Sequence, residues 1–244
     1  MKSILLLFCS FLLCTNCISG NTESDQSSDC GMKEWKAGME ISRETIAEKG
    51  GAAAFFSSNM IDSLTFRRIY GLSFKKDCTI ELGDLRYLHL LHTDLTGRIL
   101  TGEMVCNKAI AEDLLDIFLY LFKEGYPIER IQLVDDFEAD DELSMEADNS
   151  SSFNYRPVPL ASGGVRISKH GYGMAVDINP LYNPYVKGGT VLPVTATGYT
   201  DRSKNYPYKI EEGDICVKAF LDHDFEWGGA WETLKDYQHF EKDF

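Results

Sequence analysis

Apolar positions in this chain repeat with several different spacings, and each spacing predicts a different kind of element. At the front, Lys2 precedes a nearly unbroken apolar run from Ile4 to Leu13. Ten residues suit the apolar region of a secretory signal and fall short of the roughly 20 that a bilayer-spanning helix needs. The polar stretch from Asn21 to Asp29 then reads as a flexible tether. Ser63 to Tyr70 and the alternating Arg86 to His92 predict strands or short helices. Thr96-Gly97 predicts a turn into Arg98 to Val105, the return half of a hairpin. Helical spacing is clearest from Asn107 to Glu124, where Ile110, Leu114, Ile117, Phe118 and Leu121 form one stripe. Asn107 can cap this helix, and Gly125 and Pro127 end it.

A short strand is expected at Ile131 to Val134, after which the pattern turns polar. Asp135 to Asp148 holds eight carboxylates in fourteen residues, too many like charges to bury together, so a solvated loop is expected. The alternation and central Gly of a calcium loop are absent there. Ala175 to Asn179 alternates and predicts a strand with Asp177 on one face and Val176 and Ile178 on the other. A long loop from Asn183 to Glu212, a short helix capped by Asp214 and a final strand at Tyr237 to Glu241 complete the expectation. Helices and strands without a regular βαβ rhythm point to an α+β fold, a small and mostly antiparallel sheet flanked by helices. The chain divides into a signal peptide at 1–19, a tether at 20–30, an N-terminal accessory part at 31–134 and a core at 135–244.

Charge removes whole classes of function. With 24 Lys+Arg against 38 Asp+Glu and a net charge of -14, the chain lacks the clustered cations that bind nucleic acid or an anionic membrane surface. No later segment is apolar enough to span a membrane, so the mature chain is expected to have no transmembrane span. Export to the periplasm or cell envelope is the expectation, by cleavage near Cys17-Ile18-Ser19 or, as a second route, by lipid anchoring at Cys17. Of seven cysteines, Cys30, Cys78, Cys106 and Cys216 lie outside the leader. Four cysteines allow three pairings in an oxidising compartment, and the sequence does not choose among them. They show no CxxC spacing, which argues against a four-cysteine zinc ribbon.

Two segments concentrate the groups that do chemistry. One is Ser168-Lys169-His170-Gly171-Tyr172-Gly173-Met174-Ala175-Val176-Asp177, and the other runs from Trp227-Gly228-Gly229-Ala230-Trp231 to Asp236-Tyr237-Gln238-His239-Phe240. A catalytic zinc site takes three ligands from His, Asp or Glu and leaves one position open. His170, Asp177 and His239 supply such a set, and Gly171 and Gly173 permit the tight approach it requires. Asp236, three residues before His239, is then a carboxylate outside the ligand set, able to take a proton from attacking water and pass it to a leaving amine.

These strings resemble a known family. SKHGYGMAVDINP is similar to the SxHxxGxAxD signature of the zinc D-alanyl-D-alanine carboxypeptidase and L-alanyl-D-glutamate endopeptidase family. WGGAW with DYQHF resembles its closing motif, and Phe153-Asn154-Tyr155-Arg156-Pro157 its Tyr-Arg element. The resemblance covers roughly Asp148 to Glu241. It implies one zinc ion per chain on His170, Asp177 and His239, with Asp236 as base in the DxxH form of the motif. It also implies that Arg156 meets a substrate carbonyl oxygen or carboxylate, a task that suits a planar guanidinium. The implied substrates are the D-amino-acid-containing stem peptides of bacterial peptidoglycan. Ser168, Tyr172, Trp227 and Trp231 are further candidates for lining the substrate groove, the three aromatics having core packing as their alternative.

The rival class is a zinc-containing cell-wall-binding or signalling module without turnover, since animal hedgehog signalling domains resemble this family in their zinc site. A base in register with the ligands favours the enzyme. Other histidines offer less. His89 and His92 are an odd number apart and on a strand face opposite sides. Asp222-His223-Asp224 falls at a predicted helix end. Neither HExxH nor GxSxG occurs, which removes the helix-borne zinc protease plan and the serine hydrolase elbow.

Overall fold

The computed structural model describes residues 35–159 and 163–244. The expected signal peptide, tether, Cys17 anchor and Cys30 lie outside the described residues. The chain begins with α1 (Arg43–Glu48), whose Ser42 cap accepts from Thr45 N, and continues to β1 (Ser57–Met60). The segment with two possible forms becomes a helix, α2 (Ser63–Ile69), started by Asp62 accepting from Thr65 N. The predicted hairpin follows as β2 (Leu85–Thr93) and β3 (Ile99–Asn107), paired antiparallel from Leu85↔Asn107 to Thr93↔Ile99, with β1 on the other edge of β2.

Helix α3 (Ala111–Lys123) starts four residues later than the apolar spacing suggests. Asn107 ends β3 instead, and its Oδ1 accepts from Ala109 N in the intervening turn. Ile110 occupies the cap position without a side-chain bond, so the stripe residue nearest the start anchors the helix by burial. The stripe is otherwise as expected, with Leu114, Ile117, Phe118 and Leu121 all buried.

The acidic segment departs most from expectation. Past the two-residue β4 (Arg130–Ile131), it forms a 3-10 turn at Val134–Phe137 and the helix α4 (Asp141–Glu146). It stays ordered because its charges have separate partners. Asp135 accepts from the amide and hydroxyl of Ser73, Asp136 meets Arg68, and Asp140 caps α4. Asp141 pairs with Arg156, and Asp148 is buried, accepting from Leu181 N.

Short strands then surround the chemistry. β5 (Asn149–Ser150) lies parallel to β4, and β6 (Pro157–Pro159) pairs with β7 (Val165–Ile167). β8 (Ala175–Asp177) is followed by β9 (Tyr185–Lys187) and β10 (Thr190–Leu192), so the expected long loop opens with a hairpin. Helix α5 (Ile215–Leu221) starts at Asp214, which accepts from Cys216 N. β11 (Glu226–Trp227), β12 (Lys235–Asp236) and β13 (His239–Glu241) end the chain, giving the antiparallel order β11-β13-β8 and a second sheet β10-β9-β12. The fold class is α+β, with small antiparallel sheets and few helices.

One hydrophobic core joins the hairpin to the site-bearing sheet. Leu88, Leu90 and Met104 from β2 and β3, the α3 stripe, Val176 from β8 and Phe240 from β13 belong to it. Phe240 is fully buried and stacks on Phe220 of α5, with ring centroids 4.1 Å apart. Truncating a buried Phe costs about 3–5 kcal/mol, so this ring firmly fixes the strand that carries His239. Cys78, Cys106 and Cys216 are free thiols, the last two buried. No bridge therefore forms among the described cysteines, and burial raises the pKa of all three thiols.

Candidate metal centre

Strand register assembles the centre. In the β13–β8 ladder His239 sits opposite Asp177 and Phe240 opposite Val176. Side chains of directly opposed residues project from the same face of a sheet. Val176 and Phe240 therefore enter the core while Asp177 and His239 face a cavity of about 540 Å³. His170 reaches the same point from the 3-10 turn His170–Tyr172.

That turn depends on its glycines. Gly173 has φ +68°, and a Cβ there would lie 2.7 Å from Asn107 N at the end of β3. A Cβ on Gly171 would lie 2.4 Å from Ile167 Cγ2. Asn107 N also donates to Gly173 O, and Asn107 Nδ2 to Tyr172 O, so the hairpin clamps the loop that presents His170. Ser168 accepts from Gly171 N through its hydroxyl while lining the cavity, which gives it a turn-holding contact.

His170 Nε2 lies 3.1 Å from His239 Nδ1 and 3.3 Å from Asp177 Oδ2, and His239 Nδ1 lies 3.0 Å from Asp177 Oδ1. One ligand atom from each residue falls within 4.8 Å of the others, and among the described residues this is the group of three that can hold a metal ion. The outer nitrogens are engaged elsewhere. His170 Nδ1 is 2.7 Å from Ser152 O, and His239 Nε2 is 2.9 Å from Glu241 Oε2. Two imidazoles and a carboxylate with converging inner atoms form the three-ligand, open-position donor set that suits zinc.

Electrostatics follow from this crowding. Burial opposes ionisation of Asp177, but the two imidazoles outweigh it and hold its carboxyl far below the usual carboxylate range. Burial likewise works against charge on His239, yet hydrogen bonds to Asp177 and Glu241 prevail and raise its pKa to about 10 in the metal-free cluster. Asp236 moves the other way. Burial, aided by the charge of Asp177 and countered in part by His239, raises it to about 6.

Asp236 lines the cavity from β12, and its buried Oδ1 has no hydrogen-bond partner in the protein. Its close seat requires Gly228, where a Cβ would lie 2.7 Å from Asp236 O and 2.9 Å from Asp236 Cβ. Arg156 lines the same cavity in an ion pair with Asp141, whose other oxygen accepts from Asn154 Nδ2 at 2.8 Å. The acidic segment thus contributes a residue to the site, which its charge count concealed.

Of the three aromatic candidates, Trp231 lines the cavity, with its ring 5.5 Å from that of His239. Trp227 and Tyr172 do not line it and take the core-packing alternative. Trp227 is buried, packs in the main core and donates from Nε1 to Tyr237 O. Tyr172 packs against that core, partly buried, and meets Phe244 edge-on. The other histidines take structural partners. His89 stacks on Trp35, His92 Nδ1 lies against Ile128 O, and His223 Nδ1 against Ala219 O. Sequence reasoning missed Glu241, Ser152, Asp141 and Gly228. Glu241 alone had a local signal, since on a strand it shares a face with His239.

The fold and the His-Asp-His donor set define a small α+β protein with a zinc-competent cleft. Residues 162–242 match the family model described as D-alanyl-D-alanine carboxypeptidase, which bears out the motif resemblance. The matched segment holds His170, Asp177, Asp236, His239 and Glu241, whereas Arg156 precedes it. At family level the match supports a zinc peptidase of bacterial peptidoglycan. No curated protein and no solved structure matches the chain. No helix among the described residues is long and apolar enough to cross a membrane.

Proposed function

We propose that this chain is an exported metallopeptidase that holds one zinc ion on His170, Asp177 and His239 and hydrolyses D-amino-acid-containing stem peptides of peptidoglycan. The carrying observation is the converging donor set with the half-buried Asp236 carboxylate beside it in one cavity, its Oδ1 without a hydrogen-bond partner, all within the matched segment. Zinc, when bound, supplies a Lewis acid for the scissile carbonyl and makes water a stronger acid. Asp236 takes a proton from the attacking water and delivers it to the leaving amine. Burial raises its pKa in the metal-free cluster, and the charge of bound zinc would act to lower it. Arg156, aimed by Asp141, donates to the carbonyl oxygen as negative charge develops there.

Peptidoglycan stem peptides are rich in carboxylates. The cavity is lined by Arg156, Arg166, Lys169 and Lys187 alongside Asp141, Asp177, Asp236 and Glu241. Arg166 on β7 and Lys187 on β9 are exposed on separate strands, well placed for substrate carboxylates. This supports a carboxylate-bearing stem peptide as substrate, cut by D,D-carboxypeptidase or L-Ala-D-Glu-type endopeptidase action. Export through the leader at 1–19, with release or Cys17 lipidation, places the enzyme in the periplasm or envelope beside that substrate. The test is mass spectrometry of purified muropeptides incubated with the protein, with and without a chelator. A chelator-sensitive mass loss is expected, and its size names the bond. Unchanged muropeptides would favour the zinc-holding module without turnover.

A further inference from the structure

Among the described residues, Glu241 is the one carboxylate that touches the outer edge of a ligand imidazole. It lies two residues from His239 on β13, on the same face of the strand, and sits opposite Ala175, whose small side chain leaves space above the sheet. Its Oε2 is 2.9 Å from His239 Nε2, while His239 Nδ1 points the other way, toward Asp177 and His170. An imidazole with Nε2–H donated to a carboxylate has its lone pair on Nδ1. His170 shows the complementary arrangement, with Nδ1 against Ser152 O and Nε2 facing inward. The two rings therefore use opposite nitrogens, and each is oriented by a different kind of acceptor.

We propose that Glu241 is a positioning residue for the metal centre: by accepting from Nε2–H it fixes His239 in the tautomer and rotation that present Nδ1 to zinc. The inference rests on the His170-Asp177-His239 zinc reading and adds to it a residue outside the ligand set. Side-chain freedom makes the device necessary. A ring at a strand end can rotate about two bonds, and either nitrogen can carry the proton. Ser152 O is fixed by the backbone and needs no partner to hold it. Lys169, which lines the same cavity as Glu241, is tied to Lys242 O and Asp243.

Zinc affinity of the full chain, stripped of metal and titrated against a chromophoric chelator, tests the proposal. Glu241→Ala is expected to bind zinc about 10–100-fold more weakly, the usual cost of losing an outer partner of a ligand histidine. Glu241→Gln keeps an acceptor oxygen and is expected to recover most of that loss. Nitrogen-15 NMR of the zinc-loaded native chain supplies the reading that general destabilisation would not move, and His239 is expected as the Nε2–H tautomer. An Nδ1–H tautomer, or a Glu241→Ala chain binding zinc as tightly as the native one, overturns the proposal. So does a Gln variant as weak as the Ala variant. If Glu241→Ala does not fold, the native tautomer and the Gln variant still decide. His239→Ala separates the two levels of the argument: unchanged zinc binding there defeats the zinc reading itself, whereas loss there without loss in Glu241→Ala defeats only the role of Glu241.

Discussion

His239 and Asp177 are direct cross-strand partners, 3.0 Å apart between Nδ1 and Oδ1, on the two strands whose next pair, Phe240 and Val176, is sealed in the core. One ladder thus settles both the packing and the chemistry. A slip of one residue would turn the core pair into the cavity and the ligands into the core, so register is held by the same burial that positions the metal site.

The division of labour between ligand and base follows from that placement. Asp236→Ala is expected to keep stoichiometric zinc and to lower muropeptide hydrolysis about 100–10,000-fold, the range for losing a general acid–base group. His170→Ala is expected to lose zinc and hydrolysis together. Metal analysis of each purified variant, run beside the muropeptide assay, separates the two. Normal hydrolysis by Asp236→Ala removes it as the base.

Zinc affinity should rise with pH. A ligand imidazole must be neutral, but His239 is held protonated up to about pH 10 in the metal-free cluster, so binding displaces a proton. From pH 7 to 9 affinity is expected to increase by about tenfold per unit, while Asp177 stays ionised throughout and adds no slope. The metal-free fold has the opposite trend. A pKa raised above the ordinary histidine value stabilises fully below about pH 6.5, and that contribution disappears as pH rises through about 10. Chelator competition at several pH values checks the first trend, and thermal unfolding of metal-free protein the second. A flat affinity profile contradicts the proton displacement.

Arg156 should matter for turnover and not for the metal. Arg156→Ala is expected to reduce kcat/KM by about 100–1000-fold, comparable to deleting an oxyanion donor, with zinc content unchanged. Lys is expected to rescue little, because a point charge cannot reproduce the guanidinium fork. Asp141→Ala is expected to shift kcat/KM in the same direction by a smaller factor, since Asp141 holds the guanidinium without meeting substrate. Steady-state kinetics on a defined muropeptide decides, and an unaffected Arg156→Ala would leave that residue without a catalytic role.

Gly228 gives a steric test of how Asp236 is seated. A methyl group there would meet Asp236 O at 2.7 Å and Asp236 Cβ at 2.9 Å, contacts that backbone cannot easily relieve. Gly228→Ala is expected to cost about 1–3 kcal/mol of stability and to reduce hydrolysis more than zinc binding, because the ligands lie on other strands. Equal loss of both would mean that the strain spreads through the whole site.

Much of this arrangement was legible in the sequence where the signal was periodic or local. The α3 stripe, the Thr96-Gly97 hairpin and the alternation through Val176, Asp177 and Ile178 each reflect one element burying one face. Spacing plus glycine turns singled out His170, Asp177 and His239 as candidates, and the structure brings a ligand atom of each within 4.8 Å of the others. What escaped was decided by partners far away in the chain. Trp227 could as well line a groove as fill a core until Tyr237 O was known to accept its N–H. Glu241 reads as an ordinary terminal acid until the strand face is known. The acidic run from Asp135 to Asp148 misled because a charge count does not reveal that Ser73, Arg68 and Arg156 stand ready for separate carboxylates.

Asp148, at the end of that run, is a buried carboxyl. It is 3 % exposed, its Oδ1 accepts from Leu181 N at 2.9 Å, and its buried Oδ2 has no partner in the protein. Burial raises its pKa to about 7, against an unfolded value near 3.8. The folded state therefore binds the extra proton, and native stability falls as pH climbs from about 4 to about 7, then levels. Asn removes the charge, keeps an acceptor for Leu181 N and tolerates the left-handed backbone at this position, where φ is 53°. Asp148→Asn is expected to be more stable than the native chain at pH 8 by about 1–3 kcal/mol, the scale of a poorly satisfied buried polar group, with the gain shrinking towards pH 4. Denaturant unfolding at the two pH values measures it. A variant less stable at pH 8 would show that the Asp148 carboxylate is better accommodated than its burial implies.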